Sequence, residues 1–162
     1  MEKTFKNTQI FCKIVSEKHH IGNHTFNHLH AQKVSKATYI ANVYKAEKTI
    51  HDHCKQVTNT EKLFRPPYGI IKTSYAKELR EKGYTIVMWD VISGDFDPRV
   101  SPEKCLRNVQ QNTRKGSVVV FHDSIKAKQN LYHTLPKVLE AYKREGYSFE
   151  GLGARNTAAL NQ

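Results

Sequence analysis

Apolar residues recur in this chain with two alternating rhythms, one helical and one of short unbroken runs. From Thr4 to Lys18, Ile10, Phe11, Ile14 and Val15 follow the spacing of one helix face. His20 and Ile21 then lead through Gly22 from a short strand. A second helix is predicted from Ser35 to His53, burying Tyr39, Ile40, Val43, Tyr44, Ala46, Ile50 and Cys54, with Lys36, Lys45, Glu47 and Lys48 on its wet face. After Leu63-Phe64, Pro66 and Pro67 forbid the strand from continuing. The next helix, Thr73 to Lys82, buries Tyr75, Ala76 and Leu79 and ends at Gly83, a suitable C′ glycine.

The later half repeats the arrangement. Tyr84 to Ile92 is an almost unbroken apolar run, the mark of a parallel strand buried on both faces. Ser101 is a predicted N-cap with Pro102 at N1, opening a helix that buries Cys105, Leu106 and Val109 and is closed by Gly116. Ser117 to His122 is another strand. A last helix runs from Asn130 to Glu145, Tyr147 to Phe149 forms a final strand, and the tail from Gly151 is loose. Five strands are therefore expected, near 20–23, 62–64, 84–92, 117–122 and 147–149. Strands alternating with helices imply an α/β fold with a parallel sheet or barrel, whose chemistry gathers at the carboxyl ends of strands.

Composition narrows the class. The 162 residues suit one domain, since a domain of roughly 150 residues buries about 68–70% of its unfolded surface. A mean hydropathy of −0.65 points to a soluble protein, and no apolar run approaches the ~20 residues of a membrane span. Met1 to Lys18 is polar and mixed, unlike a secretory signal, and Cys12, Cys54 and Cys105 read as scattered free thiols, so a cytoplasmic location is expected. The net charge of +11 invites a nucleic-acid reading. The basic residues are spread from Lys3 to Arg155 with no nucleic-acid motif, so no specific nucleic-acid partner is expected. A basic face could equally attract an anionic glycan.

Reactive residues cluster at the ends of the strands. His24 and His28 are four apart, and on one helical turn two such imidazoles face the same way and suit a metal ion. Gly22 would let the strand turn, while Thr25 and Asn27 shape the turn by local hydrogen bonds. Arg65-Pro66-Pro67-Tyr68-Gly69 can hold a guanidinium and a backbone amide at set positions. Asp95 and Asp97 follow one strand, and His122 and Asp123 end another. His51, His53 and Cys54 look like a second metal cluster, but a polar helix end accounts for them better. His19, His20 and His30 read as surface or packing residues.

These motifs together resemble the polysaccharide deacetylases of the NodB-homology type, carbohydrate esterase family 4. The resemblance runs from about Lys6 to Phe149. It implies a distorted (β/α) barrel, with residues 1–150 as one NodB-homology domain and 151–162 as a tail. It makes His24 and His28 the ligands of a divalent metal, usually Zn2+. It gives Arg65 the role of positioning the catalytic base, Tyr68 an oxyanion-hole amide, His122 the general acid and Asp95 the carboxylate that tunes it. Phe96 stands where the family usually has tryptophan and Val120 where it commonly has leucine; with Pro67 they are expected to border the substrate. The expected function is removal of acetyl groups from an N- or O-acetylated poly- or oligosaccharide.

One part of the pattern is missing. The family's Thr-Phe-Asp-Asp, which provides the catalytic base and a third metal ligand, has no counterpart here. The barrel is therefore expected to be incomplete at its amino end, the chain inactive by itself, and an open barrel edge to promote self-association. The alternative is a non-catalytic glycan- or metal-binding remnant.

Overall fold

The computed structural model describes residues 7–53 and 62–152, which form two compact units. The first unit comprises residues 7–53, 62–88 and 151–152, and the second residues 89–150.

The first unit is built from α1 (Thr8–Ser16), β1 (Gly22–Asn23), α2 (Lys36–His53), β2 (Lys62–Phe64), α3 (Thr73–Glu81) and β3 (Tyr84–Ile86). Its strands form one parallel sheet in the order β1-β2-β3, with Asn23 opposite Phe64 and Phe64 opposite Ile86. The helical rhythm of α2 explains its docking. Tyr39, Ile40, Val43 and Ala46 lie on one stripe and are all buried. They pack with Phe64, Tyr75, Leu79 and Tyr84 in a single core cluster together with Ala31. Phe64 is its centre, with the ring of Tyr39 edge-on at 6.3 Å and that of Tyr84 at 6.1 Å. Such aromatic pairs contribute about 0.5–1.5 kcal/mol each beyond their burial. Helix α3 ends as expected, with Gly83 at φ +82 donating its N–H to the Arg80 carbonyl.

The ladders run one residue past the strands. The Arg65 N–H donates to the Asn23 carbonyl at 2.9 Å and the Val87 N–H to the Phe64 carbonyl at 2.8 Å. These bonds fix the backbone at the carboxyl end of the sheet, where the His24 and Arg65 segments begin.

The second unit contains β4 (Val91–Ile92), α4 (Pro102–Asn112), β5 (Val119–Val120) and α5 (Lys128–Arg144). β4 and β5 pair in parallel, Val91 opposite Val119. The Ser101 hydroxyl accepts the Lys104 N–H at 3.2 Å with Pro102 at N1, so the expected cap is present. α4 and α5 close over Val109, Val138 and Tyr142.

Several expectations need correction. The apolar run 84–92 is two strands: β3 takes its last bond from Phe64, and from Asp90 onward the chain bonds to Val118 and Val120 instead. Apolar composition shows burial but not the partner, so it could not reveal this exchange. Residues 147–149 form no strand. The Tyr147 N–H bonds back to the Tyr142 carbonyl and its ring lies 4.9 Å from that of Tyr142. Gly116 does not close α4, which ends at Asn112; at φ +83 it serves the turn in which the Ser117 N–H donates to the Arg114 carbonyl. In α1 only Phe11 is buried, while Ile10 is 59% exposed; on α2 Tyr44 is 37% exposed. Of the expected tail only Gly151 and Leu152 are described, with the His20 Nδ1–H donating to the Leu152 carbonyl at 2.6 Å; residues 153–162 lie outside the described residues. Cys54 lies outside the described residues, and His53 bonds through Nδ1 to the Thr49 carbonyl. Among the described residues no helix is long and apolar enough to cross a membrane.

Candidate active site

In the first unit the His24–His28 segment follows β1 directly and is not helical, which corrects the reading of one helical turn. Gly22 remains in the strand, and the turn is made by Thr25 at φ +62 and His28 at φ +55. Left-handed conformations cost a non-glycine residue roughly 1–2 kcal/mol, most for a β-branched one. Hydrogen bonds hold them there. Asn23 Oδ1 accepts the Thr25 N–H, and the Thr25 hydroxyl accepts the Leu29 N–H. Asn42, from α2, accepts both the Phe26 and Asn27 N–H groups on Oδ1 at 2.9 Å and donates from Nδ2 to Asn27 Oδ1 at 2.7 Å.

The two imidazoles meet despite the altered backbone. Their ring centroids are 4.9 Å apart at 69°. His24 Nδ1 lies 2.6 Å from the Arg65 carbonyl. A carbonyl only accepts, so Nδ1 carries a proton, and in the neutral ring Nε2 then carries the lone pair. This is the form in which a histidine ligates a metal, with its other nitrogen anchored to a backbone acceptor. The donor set therefore fits a divalent metal at His24 and His28. Among the described residues no group of three or more His, Cys, Asp or Glu side chains is placed to hold one.

The Arg65–Gly69 segment completes this half of the chemistry. Pro66 and Pro67 are fully buried, so Pro67 stiffens the turn from below. Gly69 and Ile70 donate their N–H groups to the Pro66 and Pro67 carbonyls, closing a single tight turn. Tyr68, at its apex, has φ +60, and its ring is 60% exposed and edge-on to His28 at 4.7 Å. His30 lies 5.1 Å from Tyr68, and its Nδ1 accepts the Gln32 N–H. The Arg65 guanidinium donates to the Val87 and Met88 carbonyls at 3.4 and 3.3 Å, and burial lowers its pKa.

In the second unit the chain leaving β4 runs through Ser93 and Gly94 to Asp95, and the chain leaving β5 runs through Phe121 to His122. Asp95 is fully buried and holds His122 twice: Oδ1 accepts from the ring Nδ1 and Oδ2 from the backbone N–H, both at 2.7 Å. Burial is the largest influence on its carboxyl and pushes the pKa up. The His122 ring and amide and the Ser93 hydroxyl together outweigh it, leaving Asp95 below its ordinary value. With Nδ1 on Asp95, the His122 side chain is 38% exposed. The Phe96 ring lies 4.8 Å from His122 and is 42% exposed, while Val120 is buried in β5. Asp123 is exposed, and Asp97 forms a fork with Arg99, a surface pair.

The structure thus brings together His24, His28, Tyr68 and the Arg65 backbone in one unit, and Asp95, His122 and Phe96 in the other. A model of the polysaccharide deacetylase family matches residues 2–87, more than half of the sequence. The chain belongs to the polysaccharide deacetylase family. A peptidoglycan-N-acetylglucosamine deacetylase of Bacillus cereus is 32% identical over 148 residues, 89% of this chain and 66% of that protein. Chitin deacetylase 2 of Saccharomyces cerevisiae is 29% identical over 136 residues, 80% of this chain and 43% of the yeast protein. The crystal structure of a peptidoglycan N-acetylglucosamine deacetylase in complex with 4-naphthalen-1-yl-N-oxidanyl-benzamide superposes with a TM-score of 0.84 at 30% identity, covering 92% of this chain and 68% of that one. This family member spans about two thirds of the length of the bacterial relative and less than half of the yeast one. Its fold is the α/β fold of these deacetylases.

Sequence reasoning missed three asparagines. Asn42 in α2, Asn108 in α4 and Asn130 in α5 each turn a helix side chain onto a loop's backbone. Asn130 donates to the Asp95 and Val100 carbonyls, and Asn108 to those of Ile92 and Ser93. The available signal was their position, since asparagine is a poor residue for a helix interior.

Proposed function

We propose that this polysaccharide deacetylase family member carries the metal pair and the general acid of a metal-dependent hydrolase that removes acetyl groups from N-acetylated carbohydrate. The carrying observation is His122 fixed by a fully buried carboxylate at both ring and amide. In its protonated form the ring keeps Nδ1–H on Asp95 and gives the Nε2 proton to the leaving amine. Asp95 sets the ring's orientation and balances its charge. The peptide N–H of Tyr68 would donate to the oxygen that becomes negative during attack. Arg65, anchored on the Val87 and Met88 carbonyls, would orient the carboxylate base. His24 and His28 would hold a divalent metal, most simply Zn2+, which supplies positive charge that polarises the acetyl carbonyl and acidifies water. The similarity to peptidoglycan and chitin deacetylases supports an acetylated N-acetylglucosamine polymer as substrate.

The sequence contains no Thr-Phe-Asp-Asp. We therefore infer that the 162 residues alone lack the base, and this favours glycan or metal binding without hydrolysis as the second reading. Acetate release from N-acetylglucosamine oligomers with added zinc tests both. The 162 residues by themselves should release none. A chain extended by a family-type segment bearing Thr-Phe-Asp-Asp should turn over, and His122→Ala should then lower kcat by roughly 100-fold or more. Turnover by the extended chain that His122→Ala leaves unchanged would overturn the assignment of His122.

A further inference from the structure

The Asn42 amide bridges α2 and the segment between His24 and His28 with three hydrogen bonds. Both of the groups it meets on one side are backbone N–H donors, so the atom facing Phe26 and Asn27 must be the oxygen. That choice turns Nδ2 toward Asn27 Oδ1, where it is found 2.7 Å away. The Asn42 backbone carbonyl also accepts from the Phe26 N–H, at 3.3 Å. Its neighbour Val43 accepts from Asn23 Nδ2 through its own carbonyl, and Asn23 Oδ1 in turn holds Thr25. The residues so gripped lie between His24 and His28 and adjoin the two left-handed positions, Thr25 and His28. The β-branched Thr25 in particular disfavours this region intrinsically.

We propose that Asn42 is a positioning residue for metal binding: its amide holds the segment in the strained geometry that brings His24 and His28 together. This rests on the reading of those two histidines as metal ligands. Asn42 touches neither histidine ring in these bonds and acts through the backbone at Phe26 and Asn27 and the Asn27 side chain. Partners that orient ligands at one remove typically matter by 10–100-fold in metal affinity.

The test pairs two measurements on the full chain: Zn2+ affinity by isothermal titration and hydrogen-exchange protection of the Phe26 and Asn27 amides without metal. Asn42→Ala should weaken Zn2+ binding by about 10–100-fold and strip protection from the Asn27 amide, while Phe26 keeps its longer bond to the backbone carbonyl at position 42. Asn42→Asp keeps the accepting oxygen and should recover most of both, which a merely structural loss of packing would not do. Should Asn42→Ala fail to fold, Asn42→Gln gives the same reading, because it keeps the helix packing and displaces the oxygen by one methylene. Protection lost with Zn2+ affinity unchanged overturns the positioning role alone. Wild-type affinity no greater than that of His24→Ala/His28→Ala overturns the metal reading and the role together. Protection of the Asn27 amide retained in Asn42→Ala shows that the amide does not hold the loop and also overturns the proposal.

Discussion

The two units hold their histidines by opposite means. In the first, His24 and His28 lie on a loop whose unfavourable backbone conformations are gripped by neutral amide groups. In the second, His122 is held by a buried, ionised carboxylate on an unstrained segment. Each solution suits the chemistry proposed for it. A metal pair requires neutral imidazoles and two fixed ring directions, which backbone carbonyls and amides provide without a charge that titrates. A proton donor requires a ring stabilised while charged, and Asp95 does this while fixing the tautomer. The difference lies between a geometry imposed by neutral hydrogen bonds and one imposed by a buried charge.

The largest expected effect comes from removing that charge. Asp95→Ala leaves the His122 N–H without its acceptor and opens a polar hole beneath the ring. Loss of a buried hydrogen-bonded partner of this kind costs about 3–5 kcal/mol. Asn42→Ala, which removes only neutral bonds, should cost about 2 kcal/mol or less. Urea unfolding of both variants compares them directly, and equal losses would erase the distinction between the two units.

Acid sharpens the same contrast. The Asp95 carboxyl is held below its ordinary value, and a group depressed in the folded state contributes stability only where it is ionised. That contribution is complete above the unfolded carboxylate value of about 3.9 and is lost as pH falls through the lower folded value. Stability of the second unit should therefore fall in that acidic window. Asp95→Asn should flatten the dependence while lowering stability at neutral pH. Urea midpoints from pH 7 down to the acid limit measure this, and an unchanged acidic slope in Asp95→Asn would show that other carboxylates govern it. Hydrogen-exchange protection at Phe26 and Asn27, held by neutral amides, should follow no such carboxylate step.

What could be read from the sequence follows the same division between local and distant causes. The Ser101-Pro102 start of α4 and the Gly83 stop of α3 were legible because capping chemistry lies within four residues. The stripe Tyr39, Ile40, Val43 and Ala46 was legible because helical periodicity needs no knowledge of the partner. The exchange of strand partners between Ile86 and Val91 was not, since the competing strands are far away in sequence. The site residues could be named from their motifs, but the backbone that presents them could not. A spacing of four suggests a helical turn, and the bonds that accompany the left-handed alternative include those from Asn42, 15 residues beyond Asn27. The Asp95–His122 bond spans 27 residues and was expected from the motifs, not from local pattern.

The smallest expected effect concerns strain itself. Tyr68 occupies the left-handed region at φ +60, ψ 9 with its ring largely in solvent. Glycine adopts this conformation freely, so Tyr68→Gly should relieve about 1 kcal/mol of backbone strain. Against that stand the greater chain entropy of glycine in the unfolded state and the lost edge contact with His28. The two sides are of similar size, so thermal stability should change by less than about 1 kcal/mol in either direction. Zn2+ affinity should hardly change if the Asn42 amide and the Arg65 carbonyl alone fix the histidines. A tenfold loss of affinity in Tyr68→Gly with unchanged stability would mean that the tyrosine ring, and not the asparagine clamp, sets the direction of His28.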